Sequence, residues 1–346
     1  MLIFAYFCPQ SRKVTAMSAQ TITFRSEPRI VAVNSVAGTK EAEGIIGKYA
    51  DTLLKDDMFG EDTYEKAECK MLTHVIEGVI RKGGLKREEV GVLVSGDLLN
   101  QIISASFSAR DLSIPFLGIY GACSTMAESL LLSAALLDGG FFSSAVAATG
   151  SHFASAERQY RYPLELGCIR PPQAQWTVTG AGAALLRRSG EGIRITGATI
   201  GKVVDYGITD VNNMGAAMAP AAADTILAHL SENGRSAKDY DLIVTGDLGA
   251  LGSRILKDLT WEKGVDLSEN HVDCGEIVYK VIEDEYQGGS GAGCSALVLC
   301  SYLFEKMRTG QLKRVLFAAT GALLSTVSSG QGESIPCIAH AVTLEV

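Results

Sequence analysis

An internal repeat is the feature that most constrains how this chain folds. Cys123-Ser124 recurs as Cys294-Ser295, and Ala147–Gly150 recurs as Ala318–Gly321, each time 171 positions later. Upstream, Val94–Asp97 matches Val244–Asp247 at an offset of 150, so the second copy carries an insertion of 171 minus 150, or 21, residues. Two such units of alternating helices and strands predict a duplicated α/β fold in which helices cover sheets.

Hydrophobic periodicity and turn residues predict the individual elements. Strands are predicted at 29–35, 90–94, 114–118, 145–150, 177–186, 193–203, 242–245 and 315–319, and helices at 65–81, 98–110, 126–137, 224–231, 253–259 and 295–307. Segment 41–64 is predicted to be irregular, 151–172 an ordered loop, and 276–285 shows no preference. The predicted organisation is a disordered extension over 1–21, a first half over 22–190 and a second half over 191–346.

A cysteine lies on a tight turn in the middle of the first unit. The turn Gly121–Met126 places Cys123 directly before the apolar helix predicted at 126–137. Free N–H groups and the positive end of the helix dipole favour a thiolate or another bound anion at such a position. The sequence therefore predicts a site around Cys123 that either attacks a substrate or holds an anion.

A duplicated fold with a cysteine at the start of a buried first-half helix resembles the thiolase superfamily, which includes thiolases, ketoacyl synthases and chalcone synthases. The resemblance implies a five-layered α-β-α-β-α sandwich, with Cys123 at the position of the nucleophile. The second-half activating positions differ. Thiolases have a catalytic histidine in the turn that here is Gly288–Ser290. Initiating ketoacyl synthases have a histidine motif where this chain has Gly246–Gly249. The second thiolase cysteine would fall near Ala318-Ala319. The chain is therefore predicted to have no catalytic residues and no cofactor.

Further motifs resemble a sporulation branch of the same superfamily. They are Asp97–Gln101, Ile114–Leu117, Gly121–Met126, Ala156–Gln159 with Arg161–Pro163, Gly207–Asp210, Met218–Asp224 and Ala319–Ser325. This resemblance implies non-enzymatic binding of dipicolinic acid, or of its calcium chelate, for uptake into the developing spore. It also implies membrane-protein partners from the same operon and a cytoplasmic or forespore location, peripheral at the inner spore membrane.

Six residues are predicted to contact the ligand. Cys123, with the N–H groups and hydroxyls of Ser124 and Thr125, is expected to receive a carboxylate. Asp97 lies just past a strand end, where open sheets bind ligands, and either caps the backbone or meets the ligand through calcium. His152 follows another strand end, and Gly289 belongs to a glycine run that either cradles an anion or packs closely. No metal site is predicted, because the spacing of His271, Asp273 and Cys274 favours loop structure. Arg158 and Arg161 are the cations best placed in the sequence to offset a dianion, although their position in a surface loop is the slightly favoured explanation.

Composition excludes several classes of function. The net charge of −8 comes without a basic stripe, which argues against nucleic-acid binding. No apolar run is long enough to span a bilayer. The eight cysteines include no C-x-x-C pair, as expected for free thiols in a reducing compartment. Three further hypotheses remain: a condensing or acyl-transfer enzyme that uses Cys123, a scaffold with an empty pocket whose main role is docking to membrane partners, and a homodimer that pairs through the strand at 145–150.

Overall fold

The computed structural model describes residues 19–161, 166–167, 169–279 and 287–346. Its strands are β1 (Thr21–Thr23), β2 (Arg29–Ala37), β3 (Thr52–Leu53), β4 (Val92–Gly96), β5 (Phe116–Gly118), β6 (Ser144–Ser151), β7 (Trp176–Thr177), β8 (Gly180–Arg187), β9 (Ile193–Thr199), β10 (Leu242–Thr245), β11 (His271–Asp273), β12 (Gly289–Ser290), β13 (Arg314–Ala322) and β14 (Cys337–Glu345). Its helices are α1 (Thr39–Glu43), α2 (Tyr64–Lys82), α3 (Ile103–Leu112), α4 (Thr125–Asp138), α5 (Phe153–Tyr160), α6 (Met214–Asn233), α7 (Gly249–Trp261), α8 (Cys274–Tyr279), α9 (Ala292–Val298), α10 (Phe304–Arg308) and α11 (Thr326–Gly330).

The strands of each half form a five-stranded unit with the same order and directions. The order is β5-β4-β6-β8-β2 in the first half and β11-β10-β13-β14-β9 in the second. In both units the first three strands are parallel, and the fourth runs antiparallel to both of its neighbours. The units join where Arg29 and Ile30 of β2 pair with β9. This topology confirms the duplicated α/β fold that the repeat predicts.

Helices cover both faces of the two units and complete five layers. Helices α2 and α3 pack on the outer face of the first unit, and α6 and α7 on the outer face of the second. Helix α4 lies between the units and contacts both β6 and β13. Helix α9, all of whose residues are buried, lies beside it and continues through one π-helical turn into α10. A helix that is apolar on every side is stable only inside a protein, and this central layer provides that environment.

The differences from the sequence-based expectation include three larger elements. Helix α5 lies within the predicted loop 151–172. It was not predicted because the face that it buries includes Ser155 and Glu157 and so shows no apolar periodicity. Helix α6 begins ten residues before the predicted start, in a run of small residues interrupted by Pro220, which normally signals a break. Strand β14 was not predicted; its buried residues include His340 and Thr343 among the apolar ones.

Two predicted boundaries, at residue 190 and at the end of the extension 1–21, can be placed on the structure. The predicted boundary at 190 lies between β8 and β9 and stays a prediction. Residues 1–18 of the predicted extension lie outside the described residues, whereas Thr21 already belongs to β1 and pairs with Thr199.

The route predicted for dimerisation is wrong. Strand β6, which contains residues 145–150, lies between β4 and β8 and pairs with both, so it has no free edge for a second chain. At the outer end of the first unit the edge strand is β5, which directly precedes the cysteine turn. Among the described helices, none combines the length and apolarity needed to cross a membrane.

Candidate functional site

The cysteine turn connects β5 to α4 in the central layer. Ala122 has a φ of 49°, in the left-handed region that non-glycine residues rarely occupy. One 3₁₀ turn over Ala122–Ser124 then leads into α4. This geometry turns the Cys123 side chain toward a cavity while only 7% of the residue stays exposed. Strained backbone of this kind persists where the surrounding structure holds it, often at functional sites.

The cavity beside Cys123 is small, mostly apolar and formed by both halves of the chain. The empty space beside Cys123 measures about 420 Å³, a figure that includes open solvent at the mouth. The residues that line it are Leu98, Tyr120, Ala122, Cys123, Ala156, Tyr160, Arg161, Thr177, Met214, Ser290, Gly291, Ala322 and Leu324. Arg161 is the one charged side chain among these described lining residues. The cavity therefore offers apolar and aromatic walls with a single cation.

Arg161 is held in place by a buried ion pair. Its Nη1 bonds to the carboxylate of Glu157, and the two side chains are only 5% and 7% exposed. Glu157 also accepts a hydrogen bond from Thr177 (3.3 Å) and contacts Arg170 (3.4 Å). The Nε of Arg161 has no hydrogen-bond partner among the described residues. This guanidinium therefore keeps donor capacity at the cavity wall.

Two tyrosines lie at one side of the cavity. The hydroxyls of Tyr120 and Tyr160 are 3.1 Å apart, and the Tyr160 hydroxyl also donates to the carbonyl of Leu98. Tyr120 remains 43% exposed, so it forms part of the mouth. Sequence reasoning missed both tyrosines and favoured neither arginine, because the helix that carries Tyr160 and Arg161 to the cavity was not predicted.

The Cys123 thiol is neutral in this environment, contrary to the thiolate that the helix start suggests. Burial raises its pKa well above the usual value, and the nearby Asp247 raises it further. The Gly291 N–H and Arg161 act in the opposite direction but are outweighed. No histidine occurs among the described residues that line the cavity. The described lining residues therefore supply no imidazole base to this thiol.

Ser124 and Thr125 do not face the cavity, contrary to the prediction that they receive a carboxylate. The Ser124 hydroxyl donates to Gly121 O (2.7 Å), and its N–H donates to the same carbonyl. The Thr125 hydroxyl donates to Ala122 O (2.6 Å), as does its N–H. Because the turn uses all four donors, Ser124 and Thr125 stabilise the turn and have none left for a ligand.

Asp97 caps the backbone after β4, which was one of its two predicted roles. It is fully buried, and its carboxylate accepts hydrogen bonds from the N–H groups of Leu99 and Ala105, both at 2.8 Å. Burial raises its pKa to about 6. Its neighbour Leu98 lines the cavity, but Asp97 does not.

His152 and Gly289 also lie behind the cavity wall. The Nδ1 of His152 accepts from Ala154 N–H (3.1 Å) and caps α5, while its Nε2 bonds to Asp57 O (2.8 Å). Gly289 pairs with β7, and a Cβ there would lie 2.9 Å from Val178. The next two residues of the glycine run, Ser290 and Gly291, do line the cavity. Of the six predicted residues, the structure thus places only Cys123 at the cavity.

Comparison with known proteins agrees with this architecture. The family model for stage V sporulation protein AD matches residues 18–345. Stage V sporulation protein AD of Bacillus subtilis (strain 168) is 45% identical over 326 residues, which cover 94% of this chain and 96% of that protein.

Two solved structures show the fold more distantly. The 3-oxoacyl-[acyl-carrier-protein] synthase III of Aquifex aeolicus VF5 has a TM-score of 0.58 at 14% identity, covering 92% of this chain and all (100%) of that one. Cerulenin-bound OleA of Xanthomonas campestris has a TM-score of 0.60 at 13% identity, covering 94% of this chain and 98% of that one. The chain therefore has a thiolase-like fold and belongs to the stage V sporulation protein AD family.

Proposed function

We propose that this sporulation protein binds dipicolinic acid, or its calcium chelate, without catalysis, for uptake into the developing spore. The observation that carries the proposal is the buried Arg161 guanidinium at the wall of an otherwise uncharged cavity. A guanidinium is the side chain best suited to hold a carboxylate through two parallel hydrogen bonds. The apolar walls and the two tyrosines suit a flat aromatic ring.

The neutral Cys123 thiol favours ligand binding over nucleophilic catalysis. A buried thiol with a raised pKa supplies little thiolate at neutral pH, and condensation chemistry needs a thiolate. The observation that favours the alternative, an acyl-transfer enzyme, is the strained Ala122 turn with the Gly291 N–H close to the thiol, because backbone N–H groups beside a nucleophile can stabilise an oxyanion.

Replacing Cys123 by serine separates these two functions. We expect dipicolinate to bind Cys123→Ser within about threefold of its affinity for the unmodified chain, because the thiol packs against the ligand without bonding to it. Intact-protein mass spectrometry after incubation with acyl-CoA should show no adduct on either protein. Cys69→Ser, at a half-buried thiol of α2 that contacts Ser104 O of α3 (3.7 Å), is the matched control. An acyl adduct lost only in Cys123→Ser would establish the enzyme and overturn the binding role.

We also propose that the chain acts beside membrane proteins of its operon and that it self-associates. Support for self-association comes from β5, which has a strand neighbour on one side only among the described residues, because the outer side of an edge strand can pair with another chain. Leu117 in β5 is 45% exposed, and Phe107 of the adjacent α3 is 43% exposed. These side chains extend the edge into an apolar surface.

A charge on β5 should prevent self-association. We expect sedimentation equilibrium at micromolar concentration to show a dimer for the unmodified chain and a monomer for Leu117→Lys, because a lysine cannot be buried at an apolar contact without a partner. Phe141→Lys, at a residue 73% exposed in the loop before β6, is the matched control and should remain dimeric. A monomeric unmodified chain would rule out the dimer.

A further inference from the structure

The two aspartates related by the 150-residue offset have different surroundings. In the first half, Asp97 caps the chain after β4 by accepting from the N–H of Leu99, two residues on, and from Ala105. The same sequence position in the second half is Asp247, after β10. If the duplication were complete, the carboxylate of Asp247 would accept from the N–H of Gly249.

In the second half another aspartate makes these bonds. Asp273, at the end of β11, accepts from the N–H groups of Leu248 and Gly249, both at 2.9 Å. It also accepts from the Thr245 hydroxyl (2.7 Å) and from Gly275 N–H (2.9 Å). Because Asp273 already accepts from the N–H groups that follow β10, Asp247 does not cap this strand end.

Asp247 is consequently buried without hydrogen bonds to its carboxyl group. The residue is 0% exposed, and neither Oδ1 nor Oδ2 has a partner among the described residues. The Cys294 thiol and the Gly291 N–H lie nearby and act to lower its pKa, but they do not meet hydrogen-bond geometry. Burial, reinforced by Asp273, raises the pKa of Asp247 well above its usual value. An unpaired carboxyl in this position is stable only when it carries a proton.

Asp247 interacts with two residues of the cavity wall. Cys123 and Gly291 both line the cavity, and both are close enough to Asp247 to interact with it electrostatically or through the backbone. An ionised Asp247 would repel an anion held beside Cys123, and the dry surroundings would strengthen that repulsion. A protonated Asp247 would not repel it.

We propose that the proton on Asp247 is required for the cavity to accept a carboxylate ligand, so that anion and proton bind together. This coupling rests on the proposed function. Below the pKa of Asp247 the proton is already present, and ligand binding exchanges none with solvent. Above that pKa, one proton is taken from solvent onto Asp247 for each anion bound, and it is returned when the anion leaves.

Other titratable groups lie around Asp247, and their contributions to the pH dependence must be distinguished from its own. Asp273 comes from β11, Cys274 from α8, Cys294 from α9 and Cys123 from the turn before α4. Arg161 is close enough to Cys123 to lower the pKa of its thiol. All of these remain in Asp247→Asn, which has nearly the same shape and cannot ionise. The difference between this variant and the unmodified chain therefore isolates Asp247.

The first measurement needs no ligand. A carboxyl whose pKa is raised on folding removes stability as the pH rises from its unfolded value, near 3.8, through its folded value. In denaturant unfolding from pH 4 to pH 7, the ratio of folded to unfolded protein should fall for the unmodified chain relative to Asp247→Asn. This difference should grow by up to tenfold for each pH unit. A stability gap that is independent of pH would show that folded Asp247 is ionised and would overturn the inference.

The second measurement uses calorimetric titration with dipicolinate from pH 6 to pH 10, where both ligand carboxyls are ionised. Affinity for the unmodified chain should fall up to tenfold per pH unit above the pKa of Asp247, whereas Asp247→Asn should lack this decrease. Asp97→Asn, the first-half counterpart, should keep it. An equal pH dependence in the unmodified chain and Asp247→Asn would overturn the coupling. Absence of binding in all three proteins would instead overturn the proposed function, while the stability measurement would still decide whether Asp247 holds a proton.

Discussion

Replacing Arg161 by methionine should weaken dipicolinate binding by about 10- to 150-fold. A hydrogen bond to a charged group contributes about 1.5–3 kcal/mol, and each 1.4 kcal/mol is about a factor of ten in affinity. The same change leaves the Glu157 carboxylate without its closest cation at 7% exposure. Breaking a buried pair in this way costs about 3–5 kcal/mol of unfolding free energy. We expect a loss of unfolding free energy of about 3 kcal/mol, because Thr177 and Arg170 still contact Glu157.

Two further variants separate binding from folding. Arg161→Met with Glu157→Gln removes the unpaired charge and should recover most of the stability without recovering the affinity. Arg158→Met removes a partly exposed arginine that pairs with Glu65, and it should change neither property appreciably. Calorimetry and denaturant unfolding measure the two effects. Wild-type affinity in the double variant would show that the ligand carboxylates are held by other groups.

The second large effect is expected at Gly321, where the second half supports the cysteine turn. A Cβ at this position would lie 2.1 Å from the carbonyl oxygen of Gly121 and 3.1 Å from Ser124 N. Both are backbone atoms of the turn, so a methyl group can be accommodated only if the turn itself moves. Gly321→Ala should therefore cost about 3 kcal/mol of unfolding free energy, the upper end for overpacking, and displace Cys123.

The repeat supplies the control for this substitution. Gly150 occupies the same place in the first copy of the Ala-Ala-Thr-Gly motif, but a Cβ there would meet Ala181 Cβ at 3.0 Å and Gly180 O at 3.2 Å. Small shifts relieve such contacts, so Gly150→Ala should cost about 1 kcal/mol. Denaturant unfolding compares the two variants, and dipicolinate affinity should fall only in Gly321→Ala. Equal costs at both positions would contradict a rigid contact between β13 and the cysteine turn.

Local residue patterns predicted the layers better than the site. Strands β4, β6, β10 and β13 and helices α2 and α4 have dense apolar runs with clear ends, and their prediction is confirmed. Helix α5 has the sequence Phe-Ala-Ser-Ala-Glu-Arg-Gln-Tyr, and its inward face includes a serine and a glutamate whose partners come from other elements. Because those partners are distant in the sequence, neither the helix nor the position of Arg161 beside the cavity was foreseeable.

The sequence by itself determined that the fold is duplicated and that Cys123 lies just before the central helix, because both follow from repeat spacing and from apolar runs. Only the tertiary structure decided which polar side chains face the cavity. Val94–Asp97 and Val244–Asp247 are nearly identical, yet Asp97 caps its own strand end while Asp273 supplies the cap in the second half. Backbone donors bond to whichever carboxylate the fold brings within about 3 Å, and that proximity is not a property of local sequence.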